Sequence, residues 1–302
     1  MVQTAIISVI PISEATQMHE LSGFRSGSYA SLVGDDIGRT DERPPLVLLH
    51  GLTLDRRMWR PALAALETID SGRRAIALDL PGHGDSPDEI SYSMESLVER
   101  VREAVVAAHL EDPVVVGHSL SAGAASMYAA RYPTSGVVSV EGTLRVGGFA
   151  IMAQSLEPVL RGPGFDDAWG RITGNVFRLS EVSPEVRDVV LAMGRPRQEV
   201  VLGYWQDLFE RTPAELDAWT LRASVAIRSA GVPYVAVLGQ DASPDDVAWV
   251  RANLPAARTV VWPNSGHFPH LAHPHRFAEL LAETGTWAGT RPIAQGLPRD
   301  PA

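Results

Sequence analysis

Ser119 stands in Val114-Val115-Val116-Gly117-His118-Ser119-Leu120-Ser121-Ala122-Gly123, an apolar run that enters a small-residue turn and opens into an alanine-rich, helix-favouring stretch. A buried strand followed at once by a helix, with serine at the corner, is the setting in which a hydroxyl is lifted clear of a sheet as a nucleophile. Gly117 lets strand and helix pass closely, whereas Ser121 stands where a second glycine would give more backbone freedom. The same stretch also reads as a plain strand-to-helix turn with Ser119 as N-cap. Acyl transfer by serine needs a base, an acid to orient it and donors for the developing oxyanion. His267, in the glycine-flanked loop Pro263-Asn264-Ser265-Gly266-His267-Phe268-Pro269, is the candidate base. The backbone amides of Leu52, after His50-Gly51, and of Leu120, directly after the serine, are the candidate donors. His118 and Phe268, beside those two catalytic candidates, and Trp169 and Trp205 are the candidate pocket residues.

These side chains need elements to hold them. Apolar runs at Pro45–Leu49, Ala75–Asp79, Val114–Val116 and Val137–Val140 read as strands buried on both faces, each followed by a helical pattern such as Trp59–Leu66 or Ser93–His109. That alternation predicts a parallel sheet covered on both sides, whose strand-end loops collect His50, Asp79, His83, Ser119, Glu141, Asp241 and His267 on one edge. Asp79 and the turn Pro81-Gly82-His83-Gly84 read as structural. His19–Val33 reads as a hairpin turning at Ser26-Gly27, followed by a polar loop that includes Gly34-Asp35-Asp36. Residues 142–231 carry helical patterns only and read as an inserted cap, with one helix expected over 198–211. Its large aromatic residues are more often core than pocket. Strand patterns resume at 233–238 and 258–262, so the core comprises residues 17–141 and 232–286. Residues 1–16 read as an arm and 287–302 as a loose tail.

Composition narrows the partners. The 302 residues contain no cysteine, which excludes disulfides and thiolate chemistry, and no lysine, which excludes a Schiff base. A formal net charge of -10 argues against nucleic acid or an anionic membrane as partner. No run approaches transmembrane length and the short apolar stretch Ala5–Ile10 is not preceded by basic residues, so a cytoplasmic protein is expected, as monomer or homodimer. His270, His273 and His275 follow His267, but Pro269 and Pro274 break the helical spacing of a zinc pair. No metal and no other cofactor is expected.

Taken in order, the stretches Leu48-Leu49-His50-Gly51-Leu52, Asp79-Leu80-Pro81-Gly82-His83-Gly84-Asp85-Ser86, Val116–Gly123, Leu238-Gly239-Gln240-Asp241 and Ser265–Leu271 resemble the α/β-hydrolase superfamily, over residues from about 46 to 285. The resemblance implies the α/β-hydrolase fold: a mostly parallel eight-stranded sheet with helices on both faces and a helical cap inserted after the sixth strand. It also implies a Ser-acid-His triad, with Ser119 as nucleophile, His267 as base and Leu52 and Leu120 as oxyanion donors. Most of the superfamily takes its acid after the strand that follows the cap, which points to Asp241, although the Gly-x-x-Asp spacing is one residue shorter here. Some members take it after the strand before the cap, where Val138-Ser139-Val140-Glu141-Gly142 places Glu141; Asp241 is the favoured acid and Glu141 the alternative. The expected activity is hydrolysis of an ester or lactone of a small, largely apolar substrate through an acyl-enzyme. Cofactor-free dioxygenases of heteroaromatic rings share the fold and the pre-cap acid, and hydrolase-like hormone receptors use it for binding. Both are alternative readings.

Overall fold

The structure, a computed structural model, describes residues 23–287. The expected arm at 1–16, and the expected tail apart from Trp287, lie outside the described residues. Trp287 itself is half-buried, and its ring occupies the space that a Cβ on Gly136 would need.

Eight strands form one sheet: β1 (Arg25–Tyr29), β2 (Leu32–Ile37), β3 (Leu46–Leu49), β4 (Ala75–Leu78), β5 (Val114–His118), β6 (Gly136–Val140), β7 (Tyr234–Leu238) and β8 (Arg258–Val261). Their spatial order is β1-β2-β4-β3-β5-β6-β7-β8, antiparallel at β1–β2 and β2–β4 and parallel elsewhere. Every residue of β3, β4, β5 and β6 is buried, which is why these strands are continuous Val, Leu, Ile and Ala runs. Alternate residues face opposite sides. Val47, Ile76, Val115 and Val137 pack under α2 (Met94–Ala107) and α3 (Leu120–Arg131), while Leu48, Ala77, Val116 and Val138 pack under α1 (Arg60–Ile69) and α12 (Pro274–Glu283). From β3 the chain moves to one side to form β4, then crosses to the other side to form β5. The strand order therefore reverses around β3 and β5, and the crevice beyond their C-terminal ends is where such sheets bind ligands. The loop starting at His50 and the turn at Ser119 meet there.

The cap occupies the connection from β6 to β7 and is helical throughout: α4 (Gly147–Leu160), α5 (Phe165–Phe177), α6 (Pro184–Met193), α7 (Gln198–Tyr204), α8 (Gln206–Glu210) and α9 (Pro213–Ala230), with one short 3₁₀ turn at Leu179–Glu181. The helix expected over 198–211 breaks at Trp205. Helix α9 begins with Pro213 behind a complete capping box, Thr212 and Glu215 satisfying each other's amides. Helices α10 (Pro244–Asn253) and α11 (Pro269–Ala272) complete the core.

The hairpin differs from the sequence expectation. Ser26-Gly27 lies inside β1 and the chain turns at Ala30-Ser31, with Ala30 in the left-handed region at φ 52°. Gly34-Asp35-Asp36 is the middle of β2 rather than a loop. Asp35 is 1 % exposed and accepts from Arg56 at 2.9 Å and Arg60 at 2.8 Å, and Arg56 also pairs with Asp79 and, at 2.8 Å, with Asp85. Burial opposes ionisation of Asp35, but the arginines and Ser26 outweigh it and hold the carboxyl below the usual range. Paired in this way, an aspartate can occupy an inner strand, which a hydropathy pattern does not reveal.

Candidate active site

Strand β5 ends at His118 and α3 starts at Leu120, leaving one residue, Ser119, to make the corner. Ser119 does so at φ 56° and ψ -123°, a conformation that costs a residue with a side chain roughly 1–3 kcal/mol. Neighbouring bonds hold it: the Ser119 amide donates to the Val140 carbonyl at 2.8 Å and the Glu141 amide to that of Val237 at 2.9 Å, tying together the ends of β5, β6 and β7. Gly117 is required, because a Cβ there would stand 2.1 Å from the Ser121 carbonyl oxygen. Ser121 makes use of its hydroxyl, which donates to the His50 carbonyl at 2.5 Å and so fastens the turn to the loop carrying Leu52.

That loop is pinned on three more sides. His50 donates from Nδ1 to the Gly51 carbonyl (2.8 Å) and accepts from the Leu80 amide at Nε2 (2.9 Å), while Thr53 donates its amide to His83 Nε2 (3.0 Å). Burial keeps both imidazoles neutral, with the pKa of His50 lowered to about 4 and that of His83 to about 3. A Cβ on Gly51 would stand 2.4 Å from His118 Nδ1, so only glycine allows this approach. The Leu52 amide has no hydrogen-bond partner among the described residues, and the Leu120 amide lies in the first turn of α3, where helix N–H groups have no intrahelical acceptor.

The carboxylate behind His267 is Glu141. Its Oε2 accepts from His267 Nδ1 at 2.9 Å and from Arg178 at 3.0 Å, and its Oε1 accepts from the Gly239 amide. Burial opposes its charge, yet His267, Gly239 and Arg178 together hold the carboxyl below the usual range. Asp241, expected from the sequence to be the acid, is exposed and makes no hydrogen bond or ion pair with a described residue. The chain after β7 enters the site through the backbone of Gly239, whose Cβ position is filled by the Gly266 carbonyl. Two residues later it is already outside, approaching Ser243, the N-cap of α10.

Two expected pocket residues also lie elsewhere. His118 is fully buried behind the turn, donates from Nε2 to the His267 carbonyl at 2.8 Å, and has its pKa well below the usual value because burial disfavours its charge. Phe268 is equally buried, its ring 5.2 Å from Phe177 and 5.4 Å from His118. Both side chains follow strand and loop directions that point away from the crevice. Trp169 and Trp205 do line the cavity, which measures about 310 Å3 and is bounded also by Leu52, Leu120, Phe149, Phe177, Trp219, Ser119, Glu141 and His267. Its polar wall groups are largely engaged. Ser126 donates to Ala122, Thr143 to Arg145, Thr173 to Trp169 and Thr220 to Leu144, and Asp207 accepts from the Met94 amide and Arg211. The Ser119 hydroxyl and His267 Nε2 make no hydrogen bond to a described residue, and the two residues both line this cavity. In ligand-free sites the contacts of catalytic groups commonly tighten only on binding substrate. Arg178 and Phe177 enter the site from the cap without any motif in the sequence to mark them.

Among the described residues no group of three or more acidic or histidine side chains is arranged to hold a metal ion, and no helix is long and apolar enough to cross a membrane.

Comparison with known proteins accords with this geometry. The chain is 33 % identical over 132 residues to a candidate carbamate hydrolase, RutD, of Escherichia coli O127:H6, a match covering 42 % of this chain and 48 % of the relative. The chain thus spans about half the length of the curated relatives it matches. A thermophilic esterase from Thermogutta terrifontis superposes with a TM-score of 0.65 at 21 % identity, covering 87 % of this chain and 99 % of that one. The thioesterase domain of the curacin biosynthetic pathway does so with a TM-score of 0.60 at 19 % identity, covering 85 % and 98 %. The model of the alpha/beta hydrolase family matches residues 46–280. With its eight-stranded sheet, cap and strand-end site, the chain belongs to the alpha/beta hydrolase family.

Proposed function

We propose that the protein hydrolyses an ester or lactone of a small, largely apolar substrate through an acyl-enzyme on Ser119. The observation that carries this reading is the meeting of three features: a serine held at a left-handed corner, a histidine with a free Nε2 backed by Glu141, and an apolar cavity onto which both open. In this scheme His267 Nε2 takes the Ser119 proton as Oγ bonds to the acyl carbon, and the amides of Leu52 and Leu120 hold the oxyanion. Collapse breaks the bond to the alcohol oxygen, which receives the proton from His267. Water, deprotonated by the same nitrogen, then releases the acid and restores the serine. With a lactone, the alcohol stays tethered and the product is a hydroxy acid. A cavity walled by Trp, Phe, Leu and Ile suits an apolar acyl or alcohol group, worth about 25 cal/mol for each Å2 withdrawn from water.

A fluorophosphonate should add its mass at Ser119 and abolish turnover of p-nitrophenyl esters, with both effects absent in Ser119→Ala. Wild-type protein that neither labels nor turns over an ester would refute the reading. An aryl carbamate run in parallel compares the bond named for the E. coli relative.

One observation favours a second reading. The acid follows the strand before the cap, as in the cofactor-free dioxygenases, which form no acyl-enzyme. Oxygen uptake with a hydroxyquinolone and no added metal, in protein that fails to label at Ser119, would support it.

A further inference from the structure

Phe177 and Arg178 stand where α5 ends, within the cap, yet they touch the two groups behind Ser119. The Phe177 carbonyl accepts the His267 amide at 3.1 Å, and its ring lies nearly parallel to the imidazole, 5.7 Å away at an interplanar angle of 10°. Arg178 Nη2 donates to Glu141 Oε2 at 3.0 Å and to the Gly266 carbonyl at 2.6 Å. The ion pair is largely withdrawn from water, with the two side chains 13 % and 10 % exposed. Three backbone positions make room for this contact. Gly266 is left-handed, and a Cβ on it would stand 2.8 Å from the Arg178 carbonyl oxygen and 2.9 Å from that of Phe177. A Cβ on Gly239 would press on the Gly266 carbonyl at 2.1 Å and on Arg178 Nη2 at 3.2 Å. Arg178 itself sits at φ 48°, in the region that favours glycine, while carrying the side chain that reaches the site.

A glutamate has one more rotatable bond than an aspartate, so an orienting acid of this kind must be held. The Gly239 amide fixes Oε1, and Arg178 fixes Oε2, the oxygen that also receives His267. We infer that Arg178 is a positioning residue supplied by the cap, which fixes the Glu141 carboxylate and the His267 loop together, so that seating the cap both encloses the pocket and aligns the acid–base pair. This rests on the hydrolase reading for its kinetic consequences, but not for its geometry. The charged and titratable groups facing His267 are Glu141 beyond β6, Arg178 from the cap, His118 before Ser119 and His270 on α11, with Glu181 behind Arg178 at 3.8 Å. Because Arg178 is cationic, it opposes a positive imidazole nearby.

The test compares the wild-type chain with Arg178→Met and Arg178→Lys in kcat and KM for a p-nitrophenyl ester across pH, and follows the His267 Nδ1 proton, hydrogen-bonded to Glu141, by NMR. Arg178→Met should lower kcat on the order of 10-fold to 100-fold, as displacement of a catalytic group by about 1 Å does, with little change in KM. The acid limb of kcat/KM should move to higher pH, since a repelling charge is gone, and the His267 Nδ1 proton resonance should shift as its acceptor loses a fixed position. Arg178→Lys keeps the charge, but its nitrogen lies one bond closer to Cα than the Nη2 that serves both Glu141 and Gly266, so the limb should stay in place while kcat recovers only in part. If Arg178→Met does not fold, Arg178→Lys carries the test, and a lysine variant with wild-type kcat would overturn the inference. So would a methionine variant with an unmoved limb and an unmoved Nδ1 resonance, or one whose kcat loss merely tracks a lower melting temperature. A wild type that turns over no ester, but whose His267 Nδ1 resonance moves in Arg178→Met, would sink the hydrolase reading and leave the role of Arg178 standing.

Discussion

Glu141→Gln is expected to lower kcat by about four orders of magnitude, the loss seen when an orienting carboxylate becomes an amide and the histidine is left in the wrong tautomer. Glutamine would present either an N–H or a carbonyl to His267 Nδ1, while Arg178 and the Gly239 amide both demand an acceptor there. Asp241→Asn, by contrast, should leave kcat within about twofold, as expected of an exposed side chain with no partner among the described residues. Steady-state rates on one p-nitrophenyl ester, with circular dichroism to check folding, decide the matter. Comparable losses in both variants would contradict the placement of the acid.

The second large effect concerns acid. Burial lowers the pKa of His50 to about 4 and of His83 and His270 to about 3, whereas an unfolded chain offers histidines near 6.5. Between those values the unfolded state binds more protons, so stability must fall as pH drops below about 6.5, until the folded pKa values are reached. Each such group contributes a slope of at most about 1.4 kcal/mol per pH unit. With His118, whose pKa burial also lowers, four acting together would remove about 5 kcal/mol per unit, enough to exhaust a typical reserve of roughly 5–15 kcal/mol within a few units. The paired carboxylates Asp35 and Glu141, held below the usual range, add their loss only in stronger acid. Urea unfolding at a series of pH values should therefore give a midpoint that drops steeply below pH 6.5. His270→Phe should flatten the slope by about a quarter, since His270 packs 4.5 Å from Trp59 and makes no hydrogen bond to a described residue. A midpoint that stays level into the carboxylate range would contradict the neutral assignment of these histidines.

What could be read in the sequence was contiguous. The corner at Ser119, the small residue at 117 and the His267 loop are each written within a few positions, because local backbone geometry demands those residue types. The alternation of apolar runs and helical patterns likewise carried the sheet and the inserted cap. What could not be read depends on chain segments far apart. Whether Glu141 or Asp241 reaches His267 turns on where Gly239 lies under Gly266, and the burial of Asp35 turns on arginines 21 and 25 residues further on. His118 and Phe268 are adjacent to Ser119 and His267 in the chain, but their side chains leave on the opposite side of the turn. Nothing near position 178 announces that a cap arginine would touch Glu141.

Both ends of the cap join neighbouring parallel strands, β6 and β7, which pair directly from Val137 with Tyr234 to Val140 with Val237. The pocket walls can accordingly be exchanged as a unit while the chemical groups on the core stay in place, which is a route by which descendants of such a chain could acquire new substrates. The exchange is not free at every position. A transplanted cap that lacked an arginine at the place of Arg178 would bring a new pocket and leave the old acid untethered, so inheritance of specificity and inheritance of rate are joined through one side chain.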